Sequence, residues 1–196
     1  PVLDLGCGEG STTARAATAA PTFGCDLSAE LLRVAVRSMP VVRCRLPALS
    51  WVRTGSLGAA YSVFVLDLIV DGAAFFMEAA RVVRPGGLLA VVINHPVYTA
   101  PGSGPFLDED GDVMWRWGDY FPEGPSPTLA GGLPIAMQHR PIGDLLNWAA
   151  AAGWDLERLE ERGLGPAAIA AEPGYIGQES IPRLLGARWV RRRPSS

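Results

Sequence analysis

Val2-Leu3-Asp4-Leu5-Gly6-Cys7-Gly8-Glu9-Gly10 opens the chain and runs directly into Ser11-Thr12-Thr13-Ala14-Arg15-Ala16-Ala17. A short apolar strand ends beside an acid, and a turn punctuated by three glycines leads into a helical stretch. Such a turn lets a ligand approach main-chain amides at a helix start, where side chains would otherwise block it. The reading is a strand, loop and helix unit that receives a nucleoside-containing ligand.

The spacing is Gly-x-Gly-x-Gly, whereas the dinucleotide fingerprint is Gly-x-Gly-x-x-Gly and rests a pyrophosphate on the helix start. Asp4 and Glu9 bracket the turn. Carboxylates there repel a pyrophosphate but attract a ligand that carries an ammonium and a sulfonium. The charge pattern therefore favours S-adenosyl-L-methionine over NAD.

Two further stretches follow in order: Phe23-Gly24-Cys25-Asp26-Leu27-Ser28, and Glu78-Ala79-Ala80-Arg81-Val82-Val83-Arg84-Pro85-Gly86-Gly87. With the glycine loop they make the chain resemble the class I S-adenosylmethionine-dependent methyltransferases, well over residues 1–94 and loosely beyond. The resemblance implies an α/β, Rossmann-like fold: a mostly parallel seven-stranded sheet with helices on both faces and an antiparallel last strand. It places Asp4, Gly6, Cys7, Gly8, Gly10, Asp26, Leu27 and Leu66 around the cofactor. Asp26 is positioned for both ribose hydroxyls, Leu27 for the adenine, and Asp4 for the loop and the methionyl ammonium. The family often has an acid after strand three for the adenine amino group. Here Cys44 and Arg45 stand there, so either adenine recognition falls to backbone groups or stacking, or the cofactor site is degraded. Gly58 likewise replaces an acid that family members carry ahead of strand four. The chain opens at Pro1, with no room for the N-terminal helices that the family places over the cofactor, so a fragment or a minimal version is expected.

The chain has 196 residues, of which 48% are hydrophobic, enough for one sizeable core, and one domain over 1–196 is expected. Net charge is −3, and the clustered cations are confined to Arg188, Arg191, Arg192 and Arg193, read as a solvated strand end. That balance argues against nucleic acid as partner. Cys7, Cys25 and Cys44 lack metal-ligand spacing, so no metal site is expected. Without a long apolar run or a leader, a cytoplasmic protein that does not meet the membrane is expected.

Strand and helix signals alternate. Strands are expected at 22–25, 41–45, 60–66, 88–93, 154–159 and 185–191. Ser28 should cap a helix that shares Leu27, Leu31 and Ala35 on one face. A second helix should bury Phe76, Ala79, Ala80 and Val83. A third, opening at Pro141, should bury Ile142, Leu145, Leu146, Ala149 and Ala152 and stop at Gly153. The segment 95–139 is too long for a simple connection and carries Tyr98, Phe106, Trp115, Trp117, Tyr120 and Phe121. It reads as an insertion that lids the substrate, or as aromatics with a small core of their own. Within it Asp108-Glu109-Asp110-Gly111-Asp112 has alternating acids but a misplaced glycine, so a hairpin turn is preferred to a calcium loop.

Methyl transfer mainly needs alignment and exclusion of water, and a base only for an acceptor that must lose a proton. His95, His139 and Asp67 are the candidates, His95 first because it follows strand five. The expected function is methyl transfer from S-adenosyl-L-methionine to a small-molecule acceptor. A non-catalytic module that binds the same cofactor is the first alternative, and an NAD-dependent oxidoreductase is a weaker one.

Overall fold

The computed structural model describes residues 1–16, 20–130 and 133–194. Ala17, the last residue of the helix expected after the glycine loop, lies outside them, as do 131–132 of the expected insertion. Strands β1 (Val2–Leu5), β2 (Thr22–Asp26), β3 (Val41–Arg43), β4 (Leu57–Val63) and β5 (Val83–Asn94) alternate with helices α1 (Ser11–Ala16), α2 (Ala29–Ala35) and α3 (Gly72–Val82). Then come α4 (Pro96–Thr99), the strands β6 (Gly104–Leu107), β7 (Val113–Arg116), β8 (Gly124–Ala130) and β9 (Leu133–His139), and α5 (Ile142–Ala151). Strand β10 (Trp154–Arg162), α6 (Pro166–Ala171) and β11 (Leu184–Arg191) close the chain.

Seven strands form one sheet in the order β10-β11-β5-β4-β1-β2-β3. The β1, β2, β3, β4 and β5 pairings are parallel, and β11 runs antiparallel to both neighbours. This is the expected Rossmann-like class I methyltransferase arrangement. Adjacent residues of β2 show why both faces are covered. Cys25 joins the large apolar core with Phe76 and Trp189, whereas Gly24 leaves room for Cys7 and Met39 of a second cluster. A Cβ on Gly24 would sit 2.6 Å from the Cys7 side chain.

Several boundaries differ from the sequence expectation. The buried face of α2 is Leu32 and Ala35, continued by Met39, while Leu27 and Leu31 are exposed. Leu31 instead lies against Gly8, while Leu27 lines the cleft beside the glycine loop. Strand β4 ends at Val63, and Leu66–Leu68 forms a 3-10 turn in which Leu66 is buried in the core. Leu66 therefore does not face the cleft as expected; Val65 does, because the turn breaks the two-residue alternation of the strand. Helix α3 passes into β5 at Val83 without a loop. Ile142, Leu146 and Ala152 of the third expected helix are half-buried against the core.

The insertion is built of two antiparallel hairpins, β6 with β7 and β8 with β9. The acidic stretch is the tip of the first: Gly111 has φ +85° and the Asp108 carboxylate accepts from the amides of Asp110 and Asp112. Among the described residues no helix is long and apolar enough to cross a membrane.

Candidate active site

The glycine loop leaves β1 at the carboxyl edge of the parallel strands, where open α/β sheets bind ligands. The amides of Gly6 and Cys7 both donate to the Cys25 carbonyl, which staples the loop to β2. Gly6 has φ +85°, and a Cβ there would fall inside the methyl groups of Val65. The loop can therefore press against the turn after β4 only because this residue has no side chain.

Asp26 is the hinge of the cleft. Its Oδ2 accepts from the Gly8 amide at 2.9 Å and its Oδ1 from the Ser28 amide at 2.8 Å. A carboxylate has about four acceptor positions, so each oxygen retains capacity for a further donor. Gly6, Asp26, Leu27, Cys44, Arg45, Leu46, Val65, Leu68 and Ile69 enclose a cleft of about 170 Å³ beside it. Arg45 and Cys44 thus stand where the sequence places them, at the end that lacks an acid.

Beneath the loop, Asp4 is almost fully buried and accepts from the Thr13 hydroxyl of α1. Burial raises its pKa, partly offset by that bond. The Tyr61 phenol reaches toward Thr13 and Asp4 but makes no well-formed hydrogen bond. Cys7 is buried, and burial pushes its thiol up to about 12, so it is an inert packing group. The Gly10 Cβ position lies against the buried Met39 methyl, so Gly10 serves the fold of the loop.

Asp67 sits in the turn after β4, at the same edge. Its Oδ2 accepts from the Asn94 amide at 3.0 Å and from Asn94 Nδ2 at 2.9 Å, and burial lifts its pKa to about 6. Arg140, which follows β9, donates to the carbonyls of Leu66, Ile69 and Val70. It thereby clamps the second hairpin to the turn that holds Asp67. Glu123 lies 3.7 Å from Arg140 Nε, too long for a hydrogen bond, and among the described residues that nitrogen has no partner.

The two histidines occupy different places from one another. His95 caps α4: Val97 N–H donates to Nδ1, so the ring proton is on Nε2, which donates to Glu161 at 2.7 Å. His139 Nε2 donates to the Tyr120 carbonyl at 2.7 Å, and the Thr99 hydroxyl donates to its Nδ1. Both rings are fully buried with both nitrogens engaged. To act as a base, either would first have to give up one of these bonds. Among the described residues, Asp67 alone of the three candidates keeps an oxygen without a partner, Oδ1. Sequence reasoning passed over Arg140, Asn94 and Val65. The first two adjoin histidines that drew attention by type.

A glycine loop, a strand-end acid and a cleft at the carboxyl edge define a nucleoside-binding α/β domain. A family model described as a methyltransferase domain matches residues 3–91. An S-adenosylmethionine-dependent methyltransferase from Mesorhizobium loti is 30% identical over 97% of this chain and 90% of that one, with a TM-score of 0.85. The chain belongs to the S-adenosylmethionine-dependent methyltransferase family. A solved structure from Listeria monocytogenes, 22% identical with a TM-score of 0.81 over 98% of this chain and 90% of that one, shares the fold. Trans-aconitate 2-methyltransferase of Azoarcus sp. is 35% identical over 94 residues, 46% of this chain and 37% of that protein. Demethylmenaquinone methyltransferase of Tropheryma whipplei is 35% identical over 106 residues, 48% of this chain and 42% of that protein. The matches thus span less than half the length of these two curated relatives.

Proposed function

We propose that the chain binds S-adenosyl-L-methionine in the cleft beside Asp26 and transfers its methyl group to a small-molecule acceptor held beneath the two hairpins. The observation that carries this is the Asp26 carboxylate. Two backbone amides fix it, and its spare acceptor capacity lies beside a cleft whose other walls are mostly apolar. These residues fit an adenosyl group. Asp26 meets the ribose hydroxyls, and Leu27, Leu46 and Ile69 offer apolar surface to the base. Asp4, held by Thr13, supplies negative charge behind the loop. When bound, the cofactor supplies an electrophilic methyl group on a positively charged sulfur.

The chain's own work is then alignment and exclusion of water. The hairpin β8–β9 is tied to the turn after β4 through Arg140, which supports reading the insertion as a lid over the strand ends. Where the acceptor must lose a proton, Asp67 is the proposed base. It is buried, fixed by Asn94 and raised to about 6, near the range in which a carboxylate works as a base around neutrality. His95 and His139 hold the lid, through Glu161 and through Thr99 and Tyr120.

A nucleic-acid acceptor is disfavoured. Within the C-terminal arginine cluster, Arg188 pairs with Glu157, Arg192 pairs with Asp155, and Arg191 donates to three main-chain carbonyls. The acceptors named for the two curated relatives differ from each other, so neither is carried over.

Asp26→Ala should weaken binding of S-adenosylhomocysteine by about 2 to 4 kcal/mol, since hydrogen bonds to a charged group are the stronger class. Calorimetric titration of both forms measures this. Equal affinities would remove Asp26 from the site.

A further inference from the structure

We infer that Arg183 and the aromatic side chains packed around it are a carboxylate anchor for the methyl acceptor, a reading that rests on the proposed methyl transfer. Arg183 immediately precedes β11. Its amide donates to the Arg162 carbonyl at 2.8 Å, and its own carbonyl accepts from His95 N–H at 2.9 Å. The residue is thus fixed at the carboxyl edge, beside the end of β5. It lies two strand positions from β4, a lateral step of about 10 Å at the usual strand spacing.

The residue is only 8% exposed. Its guanidinium lies 3.6 Å from the Tyr98 ring centroid and 5.0 Å from that of Tyr175. Among the described residues its side chain makes one hydrogen bond, a long one of 3.4 Å to Gln178 Oε1, and no ion pair. Glu161 accepts from His95 with Oε1 instead. A buried cation without a counter-charge is costly, and aromatic faces recover only part of that cost.

A second donor in the same cluster also lacks an acceptor. The Trp115 ring stands 6.1 Å from Tyr98, and among the described residues its buried indole N–H has no partner. Tyr98, Trp115 and Tyr175 come from α4, the β6–β7 hairpin and the turn at Pro173–Tyr175, three segments layered on one strand end. Gly177 packs on Val113 of β7, which fastens the last two together. Unsatisfied donors call for a group rich in acceptors and free of donors. The planar guanidinium fork matches the two oxygens of a carboxylate. The acceptor class is therefore a small organic acid, its carboxylate on Arg183 and its reacting atom toward Asp67 and the cleft.

The test is titration of the chain with glutarate, with its dimethyl ester and with inorganic phosphate, followed by indole fluorescence and calorimetry, with and without S-adenosylhomocysteine. Saturable binding of glutarate and none of the ester is expected. Arg183→Gln should weaken glutarate binding by about tenfold or more, as for loss of a charge-assisted bond. Arg183→Lys, which keeps the charge but not the fork, should fall between. Affinity for S-adenosylhomocysteine should be unchanged in both variants. Glutarate binding that survives where the thioether fails to bind supports the anchor while overturning the cofactor reading. The anchor is overturned if the unaltered chain ignores glutarate, if it binds the ester or only phosphate, or if Arg183→Gln binds glutarate as the unaltered chain does. The first two comparisons need no variant.

Discussion

Gly6→Ala is expected to cost the fold roughly 1 to 2 kcal/mol for left-handed backbone and roughly 1 to 3 kcal/mol more for overlap with a packed neighbour. The backbone at Gly6 has φ +85°, and the added Cβ would fall within the Val65 methyl groups. In a chain of this size the melting temperature should fall by roughly 5 to 15 °C. Affinity for S-adenosylhomocysteine should fall too, because Val65 lines the cleft and must move. A Gly6→Ala, Val65→Ala pair separates the two causes. It relieves the overlap and leaves the backbone cost, so it should recover the larger part of the lost stability once the smaller Val65→Ala effect is subtracted. A melting temperature unchanged in Gly6→Ala would show that the loop does not need its close seat on the turn after β4.

Asp67→Asn should stabilise the chain at neutral pH. Burial raises the folded-state pKa of Asp67 to about 6 from an ordinary 3.8. The folded chain therefore holds this proton more tightly than the unfolded chain does between those values. Below pH 3.8 the group is protonated in both states and costs nothing. As pH rises through the window from 3.8 to about 6 stability is lost, and above it the full cost remains, about 3 kcal/mol at 1.36 kcal/mol per unit. Asparagine keeps an oxygen for the two Asn94 donors and carries no charge. The variant should therefore gain up to about 3 kcal/mol in urea unfolding at pH 8 and nothing at pH 3.5. A gain that is equal at both pH values would contradict the assignment. If Asp67 also takes the acceptor's proton, the same variant binds cofactor normally and loses turnover. The rising limb near pH 6 in the parent rate profile should vanish with it.

What the sequence disclosed of this molecule was what it encodes locally. The glycine loop, the acid after β2 and the Pro-Gly-Gly start of β5 are short stretches in which spacing and residue type carry the backbone geometry. The structure places them together because consecutive parallel strands bring their carboxyl ends to one edge. Leu66 was misplaced for a local reason as well: a 3-10 turn replaced the last residues of an expected strand and turned its side chain into the core. Prolines 125, 127 and 134 disguised the second hairpin, since proline argues against a central strand but is tolerated in an isolated pair. The roles of His95 and His139 were not legible, because the partners that consume their nitrogens include Glu161 and Thr99, 66 and 40 residues away. Arg183 is hidden in the same way. Nothing near it in sequence announces that Tyr98 will lie beneath its guanidinium.

In the proposed function, the bend after β1, with Asp26 behind it, receives an adenosyl sulfonium donor. Calorimetric titration of the chain with S-adenosylhomocysteine, repeated in the presence of NADH, tests it most directly. One saturable site for the thioether, which NADH does not displace, is expected. Absence of binding, or tighter binding of NADH, would contradict it.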